Sequence, residues 1–335
     1  GQIDLTLVWP TGYDRVVALA AHNGFLIIFG KNSILIYSGA DTPATMTLHD
    51  TIAGVGCVDR DTVQHTGTDI IFLSDDGLRT FNRTIQEKSL PVGDLSKNIR
   101  NDLTRKVIAS QYPIRSVYSP EEAFYLLTIR DGGGLDGDSN AITYCFDMKQ
   151  KLQDGSARVT TWSCIEPTSF ARTSDNKLYF GMVGGIFEYT DYYDEGIDGA
   201  KSYYTFTYES NSLDFGIPDN LKMLKKFEVT TIGGYLSAEN TSGLTWYYDY
   251  GQSGQQFTAI LKPEKPFLAG EFSETGTGVS EFGIAEFTNG TFTQTPSASA
   301  TGSGKNLTVG LKAFIYGYPY SIQRIDIQAL IGRTV

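Results

Sequence analysis

One pattern recurs four times in the first two hundred residues: a polar turn, an apolar strand-like run, a turn built on Gly or Asp, and a second aromatic-rich run. Residues 21–24 (AHNG) lead into 25–29 (FLIIF), a turn at 30–33, and 34–37 (ILIY). Residues 66–69 (TGTD) lead into 70–73 (IIFL), the turn Asp75-Asp76-Gly77, and 78–81 (LRTF). Residues 119–122 (SPEE) lead into 123–129 (AFYLLTI), a long Gly/Asp loop, and 141–146 (AITYCF). Residues 173–176 (TSDN) lead into 177–181 (KLYFG), a turn at 183–185 (VGG), and 186–189 (IFEY). The units follow one another at about 40 to 55 residues, the period of a β-propeller blade. A further strand-like run precedes each unit, at 16–20, 62–65, 114–118 and 168–171, and would be the innermost strand of its blade. A single blade cannot bury both of its faces, so such units must stack.

The stretch 66–82 (TGTDIIFLSDDGLRTFN) tests this reading in detail. Its core, Ser74 to Phe81, comes within one residue of the Asp-box of sialidase-like propellers, which has one more position between its Asp and its Gly. The spacing therefore reads as a β-hairpin whose turn is Asp75-Asp76-Gly77, with Phe72 and Phe81 packing between blades.

Two regions depart from the repeat. Residues 94–106 place Leu95, Ile99 and Leu103 on one helical face, with Asp94 or Ser96 as N-cap and Arg100, Arg105 and Lys106 towards the C-terminal end. The solvated side of that helix is basic. After the acidic, aromatic stretch 189–199 the compact unit disappears. Longer alternating runs follow at 203–209, 225–231, 244–250, 306–316 and 322–331, separated by Gly/Ser/Thr-rich stretches such as 274–280 and 293–304 read as surface loops. The expected fold is all-β: propeller blades over 1–200, then a second antiparallel, sandwich-like β domain over 201–335, with one short helix near 94–106. The chain opens Gly1-Gln2 rather than Met, and four blades are few for a ring. The propeller is therefore expected to be incomplete in this chain.

Composition narrows the chemistry. The chain of 335 residues carries 38 Asp and Glu against 27 Lys and Arg, a formal charge of -11. Gripping nucleic acid needs clustered cations, so an acidic chain suits DNA that slides past rather than DNA that is held. Cys57, Cys145 and Cys164 have no metal-ligand spacing, and an odd count suggests no disulfide framework. His22, His49 and His65 lie on separate units. Asp136-Gly137-Asp138-Ser139-Asn140 resembles the start of a calcium loop. Ala141 stands where that loop needs Gly, and Asp147 where it usually has Glu, so the segment reads as a hairpin loop. No nucleophile elbow, phosphate-binding Gly loop or His-Glu-x-x-His occurs, and no run of 18 apolar residues suggests a membrane span. No catalytic residue, cofactor site or metal site is assigned.

Several segments together resemble the tail-nozzle proteins of short-tailed bacteriophages, also called tail tubular protein B or DNA-stabilisation proteins. They are DRVVALAAHNGFLIIFGKNSILIYSGADTP (14–43), DTIAGVGCVDRDTVQHTGTDIIFLSDDGLRTFNRT (50–84), LPVGDLSKNIRNDL (90–103), SNSLDFGIPDNLKMLKKFEVTTIGG (210–234) and YPYSIQRIDIQALIGR (318–333). They stand in the family's order and span most of the chain. The resemblance implies a propeller joined to further β domains and assembled as a six-fold ring below the portal and its adaptor. That ring retains packaged DNA in the virion and conducts it during ejection. It implies a non-enzymatic, homo-oligomeric structural protein of the phage tail, assembled in the host cytoplasm. Its partners would be the tail adaptor and tail fibres or spikes, and genomic DNA would pass without sequence-specific contact.

The competing expectation is a propeller glycosidase or sialidase-like hydrolase, or a lectin, acting on cell-surface glycans. An enzyme needs carboxylates, and for sialic acid a group of arginines, converging at one mouth of the propeller; the arginines are scattered among the units. A lectin would show a similar sugar pocket in each blade, yet the turns differ in length and residue type.

Overall fold

The computed structural model describes residues 4–87, 94–130, 141–163, 165–190, 194–195, 199–233, 242–249, 256–261, 293–316 and 320–334. The chain divides into two compact units, Gly1–Tyr189 and Thr190–Val335. Both are built from antiparallel sheets.

The first unit is a series of four sheets laid down in chain order. The first holds β1 (Val16–His22), β2 (Phe25–Gly30), β3 (Ser33–Ser38) and β4 (Thr47–Ala53). The second holds β5 (Gln64–His65), β6 (Ile70–Ser74) and β7 (Gly77–Thr80). The third holds β8 (Arg115–Ser119), β9 (Phe124–Arg130), β10 (Ala141–Lys151) and β11 (Ala157–Trp162). The fourth holds β12 (Ser169–Arg172), β13 (Leu178–Met182) and β14 (Gly185–Tyr189). Every sheet is a simple meander.

Why these meanders stack follows from their apolar residues, which occupy both faces of the central strands. In β2, Ile27 and Phe29 join Ile70 and Phe72 of the second sheet, and Phe81 just after it, in one buried cluster. The other face of β6, carrying Ile71 and Leu73, packs against Tyr125, Leu127 and Ile129 of β9. The alternate residues of β9, Phe124 and Leu126, turn to Leu178 and Phe180 of β13. Side chains two residues apart point to the same face of a strand, so each central strand serves two interfaces. Burying each such side chain contributes about 1.5–3 kcal/mol. The remaining face of the first sheet, with Ile28, Leu35 and Tyr37, is covered by Trp9, Leu5 and Val8 from the chain ahead of β1. This order of stacked four- and three-stranded meanders is compatible with successive propeller blades.

The hairpin at 66–82 differs from its expected form in its turn and its ending. Ser74 pairs with Gly77, so the turn is the two residues Asp75-Asp76 and Gly77 opens β7. Phe72 and Phe81 both lie in the core between the first two sheets. Phe81, however, starts a helix, α1 (Phe81–Glu87). Thr84 Oγ1 donates to Thr80 O at 2.7 Å, and Arg83 pairs with Glu87 four residues on at 2.7 Å.

The expected helix over 94–106 forms later than its hydrophobic spacing suggests. A 3-10 turn, Lys97–Ile99, leads into α2 (Arg100–Ala109), and the buried face is Ile99, Leu103 and Val107. Leu95 reaches the same core from the segment before the helix. That segment is occupied as a strand-like bridge: Leu95 N–H donates to Leu78 O, and Leu95 O accepts from Ala157 N–H, both at 2.9 Å. Ser96 occupies the N-cap position of the 3-10 turn without capping it. Its hydroxyl bonds Leu78 N–H and the Asp94 carboxylate instead.

The second unit is two sheets around one core. One sheet has the order β17 (Tyr204–Glu209), β24 (Leu307–Ile315), β19 (Ser242–Tyr248), β20 (Gln256–Leu261). In the other, the long strands β18 (Asn220–Gly233) and β25 (Tyr320–Thr334) pair along their length. The short strands β21 (Thr293–Gln294), β22 (Ser297–Ser299) and β23 (Ser303–Gly304) also pair with β18. A hairpin of β15 (Asp194–Glu195) and β16 (Lys201–Ser202) stands apart from both. The stretch 293–304, expected as a surface loop, is instead ladder, because β18 offers it a hydrogen-bonding edge. Leu224, Phe227 and Val229 of β18 meet Leu244, Trp246, Val309 and Leu311 across the core. Trp246 Nε1–H and Tyr248 Oη–H both donate to Thr301 O, at 3.0 and 3.1 Å. The stretches 131–140 and 274–280 lie outside the described residues.

Gly77 marks a close approach that no other residue would permit. Its φ is +135°, and a Cβ there would stand 2.4 Å from Ser96 Oγ and 2.6 Å from Asp94 Oδ2. Gly77→Ala should therefore combine backbone strain with displacement of the buried Asp94–Ser96 bridge, costing about 2–4 kcal/mol. Chemical denaturation of the variant beside the wild type measures this; a change below about 0.5 kcal/mol would contradict the packing described.

Candidate functional site

The richest polar constellation in the first unit lies where its sheets meet, at the 3-10 turn Arg60–Thr62 and its flanks. Two consecutive residues lead into it by hydrogen bonding to the first and second sheets: Cys57 N–H donates to Gly30 O and Val58 N–H to Leu73 O, both at 2.9 Å. Asp59 then divides its carboxylate. Oδ1 accepts from Asp61 N–H and Oδ2 from Ile114 N–H, each at 3.0 Å. Ser116 Oγ donates to Asp61 O at 2.6 Å, and Gln64 Nε2 returns a bond to Ser116 O at 3.2 Å. Arg115 pairs with the Asp61 carboxylate and also donates to Thr168 O, just ahead of the fourth sheet, at 3.2 Å.

Beneath this layer, Thr62 Oγ1 donates to Asp59 O and accepts from Leu73 N–H, and Thr62 O accepts from the fully buried Tyr125 hydroxyl at 2.8 Å. Burial pushes the Tyr125 phenol far above its usual range. It stays a neutral donor at every physiological pH. The Cys57 thiol is pushed up to about 11 by burial, and Cys145 to about 12. Thiols so placed are poor nucleophiles and act as small buried apolar groups.

A second cluster surrounds Asp94. This carboxylate is buried, accepts from Ser96 N–H at 2.7 Å, and pairs with Arg100 Nε at 2.8 Å. Asp154-Gly155-Ser156 repeats the same Asp-x-Ser arrangement on the third sheet, and Asn98 Nδ2 bonds Ser156 Oγ at 2.9 Å. Residues 97–102 line a shallow surface depression here. The cations expected to make this helix basic are partly neutralised, Arg100 by Asp94 and Arg105 by Asp102 at 2.6 Å.

The three histidines lie in separate places, two of them in aromatic contacts. His22 meets Phe81 edge-on with centroids 5.9 Å apart, His49 lies against Phe25 at 4.8 Å, and His65 pairs with Ile70 in a ladder. Among the described residues no group of three or more His, Cys, Asp or Glu is placed to hold a metal ion. The calcium-loop candidate 136–140 and Cys164 lie outside the described residues. No described helix is long and apolar enough to cross a membrane.

What the sequence did not reveal was the joint itself. Arg115 and Tyr125 lie more than fifty residues beyond Asp59 and Asp61, and only Asp59-Arg60-Asp61 carried a local signal, that of an Asp capping a turn.

No protein-family model matches this chain, and no curated protein matches it. Among solved structures, similarity is found to an exo-β-1,3-galactanase from Phanerochaete chrysosporium with β-1,3-galactotriose: 7% identity, 89% of this chain and 79% of that chain, TM-score 0.25. The same enzyme with galactose gives 9% identity over 91% and 79%, TM-score 0.19. SGBP-B from a complex xyloglucan utilization locus in Bacteroides uniformis gives 10% identity over 93% and 100%, TM-score 0.13. Likeness at these TM-scores carries no argument about this chain.

Asp102 supplies a pH test of the α2 anchorage. The hydroxyl of buried Tyr144, 2.6 Å from Oδ2, holds the Asp102 carboxyl below its usual range, with Arg105 adding to the effect. A depressed folded pKa contributes stability above the unfolded value of about 3.9 and loses it as pH falls through the folded value. Asp102→Asn should thus be less stable than wild type at pH 7, with the difference shrinking below about pH 4. Melting curves across pH 2–8 check this; a difference independent of pH would contradict it.

Proposed function

We propose that this chain is a structural subunit of a ring-shaped tail nozzle in the virion of a short-tailed bacteriophage, seated below the portal and its adaptor. There it retains packaged DNA and conducts it during ejection, without catalysing a reaction.

The observation that carries the reading is where the resembling segments fall. The segment 14–43 contains Asp14, whose carboxylate accepts from the backbone N–H groups of Arg15, Lys31 and Asn32 and pins the start of the first sheet to its β2–β3 turn. The segment 50–84 contains the Asp59–Thr62 joint and the hairpin of the second sheet. The segment 90–103 contains the Asp94–Arg100 pair. In the second unit, 210–234 and 318–333 contain the long paired strands β18 and β25. Buried Lys222, within the first of these, holds the carbonyls of Ile217 and Lys305. The residues that carry the resemblance therefore join elements of a scaffold. A carbohydrate-active protein would be expected to spend such shared residues on a ligand cleft.

The acidic balance agrees with a conduit. With a net charge of -11, a lumen of like sign repels the DNA backbone and offers passing duplex no holding point.

Light scattering of the purified protein, alone and with the tail adaptor, tests the proposal. The expected particle is a closed ring of about six copies of the 36.8 kDa chain. A protein that stays monomeric in both conditions, and that binds or cleaves glycans, would contradict the nozzle reading and favour the carbohydrate-active alternative.

A further inference from the structure

The sheet β17-β24-β19-β20 ends in two strands, β17 and β20, whose outer edges pair with no other described strand. Soluble proteins usually blunt such edges with Lys, Pro, bulges or covering segments. These two strands hold no Lys, Pro or bulge, and no described strand covers either outer edge. They read YTFTYE and QFTAIL, and each pairs with its single neighbour without a register shift.

Both edges are also sorted by face. In β17, Tyr204, Phe206 and Tyr208 stand opposite the core-facing Ile315, Ala313 and Leu311, while Thr205, Thr207 and Glu209 form the outer row. Phe206 and Tyr208 remain 39% and 48% exposed although they lie on the core side. In β20, Phe257 and Ala259 stand opposite the core-facing Trp246 and Leu244, while Gln256, Thr258 and Ile260 form the outer row. Ile260 is 72% exposed.

Strand direction then decides which occupant fits. Each neighbouring pair in the sheet is antiparallel, so across three reversals β17 and β20 run in opposite directions. A β20 laid against the open edge of a β17 continues the antiparallel alternation. It also sets core-side row beside core-side row and outer row beside outer row, as a shared sheet face requires. Both strands have six residues, so the two edges match in length.

We propose that β20 of one copy adds to β17 of the next copy, head to tail, so that this sheet runs continuously from subunit to subunit. The contact is heterologous: each joined pair still presents one free β17 and one free β20, and addition continues until a ring closes. The partner is a second copy of this chain because one chain supplies both complementary edges. The inference deepens the self-assembling reading given above and rests on it.

The test uses the full chain with Cys164→Ser, Cys57 and Cys145 being buried. Thr207→Cys protein is mixed with Gln256→Cys, Thr258→Cys or Ile260→Cys protein and oxidised mildly with copper–phenanthroline. Strand pairing brings Cα atoms to the spacing a disulfide needs. The expected result is a several-fold excess of cross-linked heterodimer for at least one mixture over any single variant alone. Adding Phe206→Lys to the Thr207→Cys chain should abolish the cross-link. In the wild-type background Phe206→Lys should reduce the particle to monomer while shifting the melting temperature by only a few degrees.

Self-cross-linking of Thr207→Cys as strong as that of the mixtures would overturn the proposal in favour of a two-fold β17 contact. So would a Phe206→Lys protein that still assembles, which would leave the nozzle reading standing on another surface. Cross-linking of the mixtures within open filaments would support the edge contact and count against a closed ring. A wild-type protein that never self-associates would overturn the edge contact outright.

Discussion

The first unit depends on the turn Arg60–Thr62 and the carboxylate of Asp59 just before it. A chain passing between stacked sheets must bury backbone N–H and C=O groups away from water, and each left unpaired costs about 1–3 kcal/mol. Here those groups are paired with other sheets. Ile114 N–H reaches Asp59, the Ser116 hydroxyl reaches Asp61 O, Tyr125 reaches Thr62 O, and Thr62 in turn serves Leu73. The turn is stable only because the second and third sheets surround it, and their relative register is fixed because the turn offers partners at set places. Arg115 extends the linkage to Thr168 and the start of the fourth sheet.

The apolar cores and this polar joint do different work. Packing of Phe29 on Phe72, with ring centroids 5.0 Å apart, or of Phe124 on Tyr189 at 5.7 Å, gives the stack its free energy without demanding one alignment. Directional bonds at the joint select the alignment. The second unit divides the task in the same way. Phe227, Trp246 and Phe257 fill its centre, while Trp246 and Tyr248 converge on the carbonyl of Thr301. A Cβ on Gly302 would come within 2.6 Å of both Phe257 and Tyr248. That segment can lie so close to the aromatic rings only because it lacks a side chain there.

Much of this was legible wherever the signal was local. Short apolar runs located the central strands β2, β6, β9 and β13, and the turn residues between them located the hairpins. The outermost strands β4 and β11 were not singled out, because Thr47–Ala53 and Ala157–Trp162 are polar at half or more of their positions and become strands through their neighbours' edges. The same holds for the short strands after residue 293, which borrow the edge of β18. Helix α1 was missed because LRTF reads as a strand to its last residue; the Arg83–Glu87 spacing was the available clue. Of the joint, only the Asp59 turn could be read locally. Its partners lie about fifty residues further on, and pairing at that distance is a property of the stacked fold, not of any short stretch.

The central claim is that the first unit is one cooperative stack held in alignment by the Asp59 joint. Native-state hydrogen exchange on wild type and Asp59→Ala tests it most directly, following the amides of Cys57, Leu73 and Ile114, which donate to Gly30, Thr62 and Asp59 respectively. The account predicts that in the wild type all three exchange only through the same global opening, and that Asp59→Ala lowers their protection together, along with that of the central strands β6 and β9. Loss of protection confined to Ile114, with Cys57, Leu73 and both strands unchanged, would show that the sheets are held independently and would contradict the account.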